Sequence, residues 1–324
     1  MASDLLHAGL GLALLLLAGD SLVKGAVNLS LRLGVPALIV SLTIVAFGTS
    51  APELLISIKA VLDDSPGIAM GNVVGSNIAN VLMVLGIPAL MTGIRTDECD
   101  TRRTYALMIG ATLIFLFVCL IGPITWIHGI ALMLVLGFVL VDAFLSARKH
   151  RRDAAEAARC AAPDATEDEV EGADPSLGWF KICMFLVLGL LGLPLGADLL
   201  VDASISIARE IGVSETVIGL TLVAVGTSLP ELATTVMAAL RRQADVAMGN
   251  VIGSNMFNLL AIIGMASFFG DIAVPPEMLR FDLWVMLGAA LLLIPFVVWR
   301  VALGRAWGAV FFLLYAAYAG VLLL

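Results

Sequence analysis

Two glutamates lie inside otherwise apolar stretches of the sequence, each at the end of the same short motif. Glu53 closes the run GTSAPE, and Glu231 closes the run GTSLPE. A charged side chain at the centre of a membrane span costs at least about 2.5 kcal/mol and normally has a function. A glutamate that only joins helices by hydrogen bonds is the alternative, but oxygen-bearing residues surround both positions in the same way. The pattern therefore indicates a buried polar site built around two carboxylates.

Further oxygen atoms accompany each glutamate. A threonine and a serine precede each one by four and three residues, a spacing that places the three side chains on one helical face. These hydroxyl residues are Thr49, Ser50, Thr227 and Ser228. Pro52 and Pro230 lack an N–H, so the carbonyl four residues earlier loses its helical donor and the helix loosens there. Freed carbonyls can point at a cation where they line a cavity. They belong to Ala46, Gly48, Thr49, Ala224, Gly226 and Thr227.

A second pair of apolar stretches carries hydroxyl and amide side chains. The residues are Ser76, Asn77, Asn80, Ser254, Asn255 and Asn258. Ser76 and Asn80 are four apart and therefore share a helical face. Nearby glycines, several of them spaced by four, predict a face of close helix packing rather than ligands. These glycines are Gly67, Gly71, Gly75, Gly249 and Gly253.

The residue types together indicate a site for a hard cation, because every candidate ligand is an oxygen. The four cysteines and three histidines are isolated in the sequence, so no zinc set is expected. Calcium takes about six to eight oxygens, and two carboxylates match its charge. Sodium uses the same oxygens with less negative charge, so one pocket can hold one Ca²⁺ or a few Na⁺ but not both fully. Competition of Ca²⁺ and Na⁺ for the same ligands is the basis of an antiport mechanism.

The elements that must hold these residues are membrane spans. Of the 324 residues, 60% are apolar and 14% are charged, whereas a soluble globular protein is about 45 to 50% apolar. This composition excludes a soluble single-domain enzyme. Ten apolar stretches of about the length of a transmembrane helix predict an all-α integral membrane protein and exclude a transmembrane β-barrel. The predicted spans are residues 5–23, 37–61, 67–91, 104–121, 126–146, 179–200, 215–239, 246–269, 283–300 and 307–324.

Charge predicts how the chain sits in the cell (inner) membrane. With the N-terminus outside, 15 of the 18 Lys and Arg residues fall on the cytoplasmic side, so both termini are expected outside the cytoplasm. Residues 1–23 contain no Lys or Arg, which favours a genuine first helix over a signal peptide. Residues 147–178 form the one long polar stretch and predict a solvated, partly disordered cytoplasmic linker. No basic domain that could bind nucleic acid is found.

The two halves of the sequence are copies. A shift of 178 residues aligns VAFGTSAPELL with VAVGTSLPELA, and AMGNVVGSNIANVL with AMGNVIGSNMFNLL. Over residues 34–86 and 212–264, 25 of 53 aligned positions are identical. An acidic pair at 63–64 aligns with an arginine pair at 241–242, so the positive-inside rule requires the copies to cross the membrane in opposite directions. We therefore expect two inverted five-helix repeats, 1–146 and 179–324, that meet at a site near the membrane midplane.

Both motif blocks, GTSxPE and GNVxGSNxxN, resemble the paired α-repeats of the sodium/calcium exchanger family within the cation/Ca²⁺ antiporter superfamily. The sequence looks like a prokaryotic member without a large regulatory domain. The resemblance implies alternating access, in which the first and sixth helices slide across a core bundle. It also implies that Glu53 and Glu231 bind Ca²⁺ beside the backbone carbonyls of Thr49 and Thr227.

The resemblance assigns roles to the remaining candidate ligands as well. Residues expected to complete the flanking Na⁺ positions are Ser50, Ser76, Ser228, Ser254, Ala46 and Ala224. Asn80 and Asn258 correspond to amides in the middle of the site. Some members, including potassium-dependent exchangers, have Asp at the position of Asn258, so potassium co-transport is not expected here.

The leading functional hypothesis is a Na⁺/Ca²⁺ antiporter that needs no cofactor besides its transported ions, and the alternative is a Ca²⁺/H⁺ antiporter. An intramembrane hydrolase would use the carboxylates as an acid/base pair, but the oxygen cage is symmetric and no HExxH motif is found. A sensor or scaffold derived from a transporter is disfavoured by the intact glutamate pair. We expect the lipid bilayer to surround the protein, and the sequence indicates no protein partner.

Overall fold

A computed structural model of the chain describes residues 2–160, 174, 177–212 and 224–322. The principal elements within these residues are helices. They are α1 (Ala2–Leu33), α2 (Ala37–Thr49), α3 (Ala51–Leu62), α4 (Pro66–Thr92), α5 (Arg102–Ile121), α6 (Trp126–Cys160), α7 (Trp179–Glu210), α8 (Leu229–Leu240), α9 (Ala244–Ala266), α10 (Met278–Val297) and α11 (Arg305–Leu322).

Eight of the described helices are long and apolar enough to cross a membrane, and α2 and α3 together add a ninth crossing if the bent pair is one span. The chain is therefore an all-helical, multi-pass membrane protein. The predicted span 215–239 lies partly outside the described residues, and its described helical parts are Ala224–Gly226 and α8. The count of ten spans in two inverted repeats stays a prediction.

Several predicted boundaries are wrong, because an apolar run reports the thickness of the membrane rather than the end of a helix. Helices α1 and α7 extend well beyond the predicted spans 5–23 and 179–200. Helix α6 continues to Cys160, so residues 147–160 of the predicted linker are helical. This segment is rich in Ala, Arg, Lys and Glu, which favour helix. Residues 161–173 of the predicted tether lie outside the described residues.

The bundle has a buried centre and a rim that faces outward. In the apolar 18-residue stretch of each helix, 100% of the residues of α9 and 83% of those of α4 are buried, whereas 11% of those of α11 are buried. Helices α4 and α9 carry the two GNVxGSNxxN blocks. Their central position follows from composition, since polar side chains at membrane depth must face the protein interior. The two blocks are thereby brought into one core.

Glycines set the closest helix contacts. At Gly249 and Gly253 of α9, an added Cβ would lie 2.8 Å from the Leu38 carbonyl oxygen and 2.5 Å from the Leu42 carbonyl oxygen. Only a residue without a side chain permits this approach of α9 to α2. The predicted close-packing role is confirmed for these two glycines. It is wrong for Gly67, Gly71 and Gly75, where no described atom of a neighbouring element lies closer than 3.8 Å to an added Cβ.

Helices α1 and α7 form a second, antiparallel pair at the rim. A Cβ at Gly11 would lie 2.7 Å from the Leu200 backbone nitrogen, and one at Gly196 would lie 2.9 Å from the Leu15 backbone nitrogen. Near the other end of the pair, a Cβ at Gly189 would lie 2.6 Å from the Leu22 Cβ. The two long helices therefore pack backbone to backbone over much of their length.

Candidate cation site

Each glutamate stands in the first turn of a helix that begins directly after a break in the backbone. Helix α3 begins at Ala51 after Ser50 (φ −86°, ψ 4°), and α8 begins at Leu229 after Ser228 (φ −88°, ψ 4°). A proline follows at the start of each helix, where its missing N–H leaves no extra hydrogen bond unmade. The span predicted as continuous over 37–61 is therefore bent, by 44° between α2 and α3.

The same turn closes both site helices. Asp64 after α3 has φ +51°, and Arg242 after α8 has φ +55°. The following N–H groups donate back to the helices in the same way, from Ser65 to the Ala60 carbonyl and from Gln243 to the Ala238 carbonyl, each at 2.8 Å. The sequence repeat is thus also a repeat of backbone conformation from the break to the next helix.

Nearly all of the candidate ligand residues are withdrawn from the surface. Glu53 and Glu231 are each 1% exposed. The other buried members are Ala46, Thr49, Ser50, Ser76, Asn80, Ser228, Ser254 and Asn258. Thr227 is half-buried. Ala224 lies in the short helix Ala224–Gly226, and its side chain falls outside the described residues.

Contacts between the two copies bring these residues together. The Ser50 hydroxyl of the first copy donates to Oε1 of Glu231 in the second, at 3.2 Å. The Thr49 and Ser254 hydroxyl oxygens lie 3.5 Å apart. The two copies thus share one polar centre.

The amide pair extends this centre. Asn80 Nδ2 donates to Asn255 Oδ1 at 3.1 Å, again from one copy to the other. Asn80 and Asn258 each begin a π-helical turn, Asn80–Val84 and Asn258–Ile262. Such turns occur frequently at functional sites, because they leave backbone groups out of the regular ladder. The sequence pattern did not predict them.

Buried polar atoms without a hydrogen-bond partner collect at this centre. Within the described part of the chain, the unpartnered atoms of the site are Glu53 Oε2, Glu231 Oε2, Ser228 Oγ, Asn77 Oδ1, Asn80 Oδ1, and both Asn258 Oδ1 and Nδ2. A buried polar group left unpaired costs about 1 to 3 kcal/mol, and more if it is charged. Most of these atoms are oxygens, and two belong to carboxylates. A bound cation would satisfy several of them together.

The arrangement suits a hard cation rather than a transition metal. Among the described residues, no three His, Cys, Asp or Glu side chains form a metal-ligating group. The charged ligands on offer are the two glutamates, and neutral hydroxyl and amide oxygens surround them. This is the ligand chemistry of Ca²⁺ and Na⁺.

A cavity lies beside the site, and Thr227 is the candidate ligand residue in its lining. It has a volume of about 170 Å³ and lies between α3, α7 and the residues before α8, with Pro52, Asp198 and Thr227 among its lining. At the opposite end, the described residues of the equivalent helices α1 and α8 are in direct contact. A Cβ at Gly19 would lie 3.0 Å from the Ala233 carbonyl oxygen, and Asp20 pairs with Arg241.

The comparison with known proteins identifies the family. The family model described as sodium/calcium exchanger protein matches residues 5–145 and 181–324. The chain belongs to the sodium/calcium exchanger family. It is 37% identical to the putative antiporter CaxA of Alkalimonas amylolytica over 88% of this chain and 86% of CaxA. It is 35% identical to the sodium/calcium exchanger MaX1 of Methanosarcina acetivorans, over 97% of this chain and 96% of MaX1.

A solved structure of the sodium-calcium exchanger NCX_Mj, soaked with Na⁺ and Sr²⁺, has the same fold. The TM-score is 0.79 at 29% identity, and the match covers 98% of this chain and 97% of NCX_Mj. The resemblance expected from the two motif blocks is therefore confirmed. Members of the exchanger family are secondary transporters, so this protein is a cation/Ca²⁺ antiporter and not an enzyme. The cations are its cargo, and no cofactor is indicated.

Two asparagines that sequence reasoning did not assign to the exchanger site also lie in it. Asn72 of α4 and Asn250 of α9 donate to the backbone carbonyls of Glu53 and Glu231, at 3.2 and 3.3 Å. Both stand in the GNV part of the repeated block, 178 residues apart. Identity under that shift is the signal that could have found them, but their contact with the glutamate helices is visible only in the fold.

Proposed function

We propose that this protein exchanges Ca²⁺ for Na⁺ by alternating access, at a site near the membrane midplane where two inverted five-helix repeats meet. The observation that carries the proposal is the cluster of buried, unpartnered oxygens around Glu53 and Glu231. Two carboxylates balance the charge of one Ca²⁺, and the neutral oxygens around them approach the six to eight ligands that Ca²⁺ takes. Several Na⁺ ions would share the same ligands.

The proposed ligand roles are those that the family resemblance implies. The Glu53 and Glu231 carboxylates bind Ca²⁺ beside the Thr49 and Thr227 carbonyls. The hydroxyl and carbonyl oxygens proposed for the flanking Na⁺ positions belong to Ser50, Ser76, Ser228, Ser254, Ala46 and Ala224. Asn80 and Asn258 contribute neutral amides in the middle of the site, where a third carboxylate would overcompensate the charge.

The burial of the two glutamates explains why transport would be an exchange. An uncompensated carboxylate pair in a dry interior costs several kcal/mol per charge. A conformational change that seals the site is therefore favourable only when cations neutralise it. Ca²⁺ and Na⁺ both provide this neutralisation, so each crosses in its own half of the cycle and the site does not return empty.

The cavity beside Asp198 supports an access route from one side of the membrane. The positive-inside rule assigns that side to the exterior, with both termini outside and the membrane being the cell (inner) membrane. Access from the other side would require α1 to leave α8. Movement of α1 and α7 as one antiparallel pair along the core would exchange the two arrangements.

Proton coupling is the second candidate, and the burial of the same carboxylates favours it. A proton neutralises a buried glutamate as a cation does, so a Ca²⁺/H⁺ antiporter could use this site without Na⁺. The two candidates differ in the gradient that drives transport.

Uptake of ⁴⁵Ca²⁺ into proteoliposomes separates them. Vesicles loaded with Na⁺ are compared with vesicles that have equal Na⁺ on both sides and with vesicles under a pH gradient alone. We expect uptake only with the outward Na⁺ gradient, and loss of uptake in Glu53→Gln. Uptake driven by the pH gradient alone would show that the protein is a Ca²⁺/H⁺ antiporter. Absence of uptake under both gradients would refute Ca²⁺ as the cargo.

A further inference from the structure

The second copy of the repeat contains a closed set of hydrogen bonds behind its glutamate. Asn250 Nδ2 donates to the Glu231 backbone carbonyl at 3.3 Å and to Thr235 Oγ1 at 3.1 Å. The Thr235 hydroxyl in turn donates to the same Glu231 carbonyl at 2.7 Å. Asn250 and Thr235 are both 0% exposed. One amide therefore ties α9 to the first turns of α8.

The first copy repeats the two asparagine bonds of this arrangement, with a serine in place of the threonine. Asn72 Nδ2 donates to the Glu53 backbone carbonyl at 3.2 Å and to Ser57 Oγ at 3.0 Å. Ser57 is 0% exposed. The 178-residue shift relates Asn72 to Asn250 and Ser57 to Thr235. Since the two copies differ at about half of their aligned positions, the recurrence of both asparagine bonds indicates a shared requirement.

The bonds act where the backbone is least supported. Each glutamate belongs to the first turn of its helix, directly after the break at Ser50 or Ser228. The N–H groups of a first turn have no partners within the helix, so fewer hydrogen bonds join this turn to the preceding backbone than join turns inside a helix. An asparagine amide on the neighbouring helix donates to the glutamate carbonyl in this turn. The bond fixes the glutamate backbone and therefore the point from which its side chain extends.

The same asparagines reach the candidate ligands on their own helices and in the other copy. The Ser76 hydroxyl donates to the Asn72 carbonyl at 2.6 Å. Asn250 Oδ1 accepts a hydrogen bond from the Thr49 hydroxyl of the opposite copy at 3.4 Å. The Asn250 side chain thus links its glutamate-bearing turn to a hydroxyl of the site, and in the first copy the backbone of Asn72 accepts the hydroxyl.

We propose that Asn72 and Asn250 are positioning residues of the cation site, which hold the two carboxylate-bearing turns at the separation that a single Ca²⁺ requires. This inference rests on the proposed function. Neither amide needs to touch the cation. Ca²⁺ must be ligated by both carboxylates at about 2.3 to 2.6 Å, whereas separate Na⁺ ions tolerate a change in their spacing. Loss of an amide therefore weakens Ca²⁺ more than Na⁺.

The test compares Asn72→Ala and Asn250→Ala with the wild type and with Thr112→Val as the control. Thr112 is buried in α5, and its hydroxyl donates to the Met108 carbonyl of the same helix at 2.8 Å. Thr112→Val therefore removes one buried hydrogen bond that involves none of the proposed ligands. Each variant is assayed for the KM of Ca²⁺, the KM of Na⁺ and the maximal rate. We expect a 5- to 30-fold rise in the Ca²⁺ KM, roughly the effect of one or two lost hydrogen bonds. The Na⁺ KM and the maximal rate should change less.

A second route keeps the asparagine and changes its partner. Thr235→Val removes the hydroxyl that Asn250 uses, and Thr235→Ser retains it, as the first copy does naturally at Ser57. We expect Thr235→Val to raise the Ca²⁺ KM and Thr235→Ser to match the wild type. This pair decides the question if either alanine variant fails to fold.

Binding measured apart from transport distinguishes this inference from the proposed function. The Ca²⁺-dependent rise in Tm of the purified protein should be smaller in Asn250→Ala than in Thr112→Val. If the wild type shows that rise but no Na⁺-driven uptake, the proposed function fails and the Tm comparison still judges the asparagines. Asparagine variants equal to Thr112→Val in both assays overturn the inference, and a wild type without any Ca²⁺-dependent rise overturns both.

Discussion

At the scale of single residues, the two glutamates combine a chemical need with a structural cost. Glu53 and Glu231 each leave one carboxylate oxygen buried and without a hydrogen-bond partner among the described residues. Such a pair destabilises the protein by itself and becomes favourable when cations bind. Their proposed role in cation binding therefore predicts opposite effects of neutral substitutions on transport and on the stability of the cation-free protein.

Glu53→Gln and Glu231→Gln should each abolish Ca²⁺ exchange and leave a folded protein. Glutamine keeps the shape of the side chain but lacks the charge, so the buried repulsion is removed and the cation-free Tm should not fall. Flux of ⁴⁵Ca²⁺ and Tm in detergent are the measurements. Wild-type flux in either variant would contradict the site assignment.

The glutamates also predict the direction of the pH dependence. A carboxylate must be ionised to ligate a metal, so protons compete with Ca²⁺. As the pH falls, the Ca²⁺ KM should rise, and higher Ca²⁺ should restore the rate. Measurements of the initial rate across pH and Ca²⁺ concentration test this, with equal pH on both sides of the membrane so that no proton gradient contributes. A Ca²⁺ KM that is constant with pH would refute direct competition.

At the scale of elements, the core helices approach one another through glycine, and the site depends on that approach. Helix α9 meets α2 so closely that a Cβ at Gly253 would overlap both the Leu42 carbonyl oxygen at 2.5 Å and the Ala46 Cβ at 2.6 Å. Ala46 is itself a candidate ligand residue, and Ser254 follows Gly253 directly. The spacing between α9 and α2 therefore sets the distance between ligands of the two copies.

Gly253→Ala should lower the free energy of unfolding by about 1 to 3 kcal/mol, the usual cost of overpacking a core. Gly137→Ala is the matched control, because no described atom lies within 4 Å of a Cβ at that position of α6. Alanine there should be neutral or slightly stabilising, since it favours helix over glycine. Thermal unfolding in detergent measures both, and equal Tm values for the two variants would refute close packing as the role of Gly253.

At the scale of the whole molecule, the two ends of the bundle differ although the copies are related. On one side, Arg241 after α8 pairs with Asp20 of α1, and Lys24 Nζ lies 2.9 Å from the same carboxylate. On the other side, the 178-residue shift puts acids at all the equivalent positions, Asp63, Asp198 and Asp202. A cavity lined by Asp198 and Asp202 separates α7 from α3 there. An ion pair thus joins α1 to the residue after α8 on one side, whereas the equivalent positions on the other side are all acidic.

Arg241→Gln should shift the protein away from the arrangement that is open beside α7. Loss of a partly buried ion pair weakens the contact by ~1 kcal/mol, which corresponds to about a five-fold change in the balance of two states. The readout is labelling of Val201→Cys, at the cavity, by a membrane-impermeant thiol reagent, with the exposed Cys183 replaced by serine. We expect slower labelling.

Arg103→Gln provides the control, because it breaks the ion pair of Arg103 with Asp142 between α5 and α6. That pair does not join α1 to the core, so labelling at position 201 should keep its wild-type rate. Equal labelling rates in Arg241→Gln and Arg103→Gln would contradict a gating role for the Asp20–Arg241 pair.

Much of this protein could be predicted from sequence because the membrane simplifies the problem. Apolar runs of about 20 residues predict spanning helices, since lipid offers no other partner for backbone groups. A repeat in which 25 of 53 positions are identical predicts that both copies fold alike. The breaks before Glu53 and Glu231 confirm this down to the φ and ψ angles of Ser50 and Ser228.

Only the tertiary structure decided which atoms meet. The bond from Ser50 to Glu231 and the amides of Asn72 and Asn250 join residues on different helices, and sequence spacing carries no information about such distances. The π-helical turns at Asn80 and Asn258 have no signal in the apolar pattern and are visible only in the structure. The difference between the two ends of the bundle is likewise tertiary, because related sequences adopt two packings in one molecule. The residue types thus determined the chemistry of the candidate site, and the packing of the helices determined its geometry and the position of the cavity beside it.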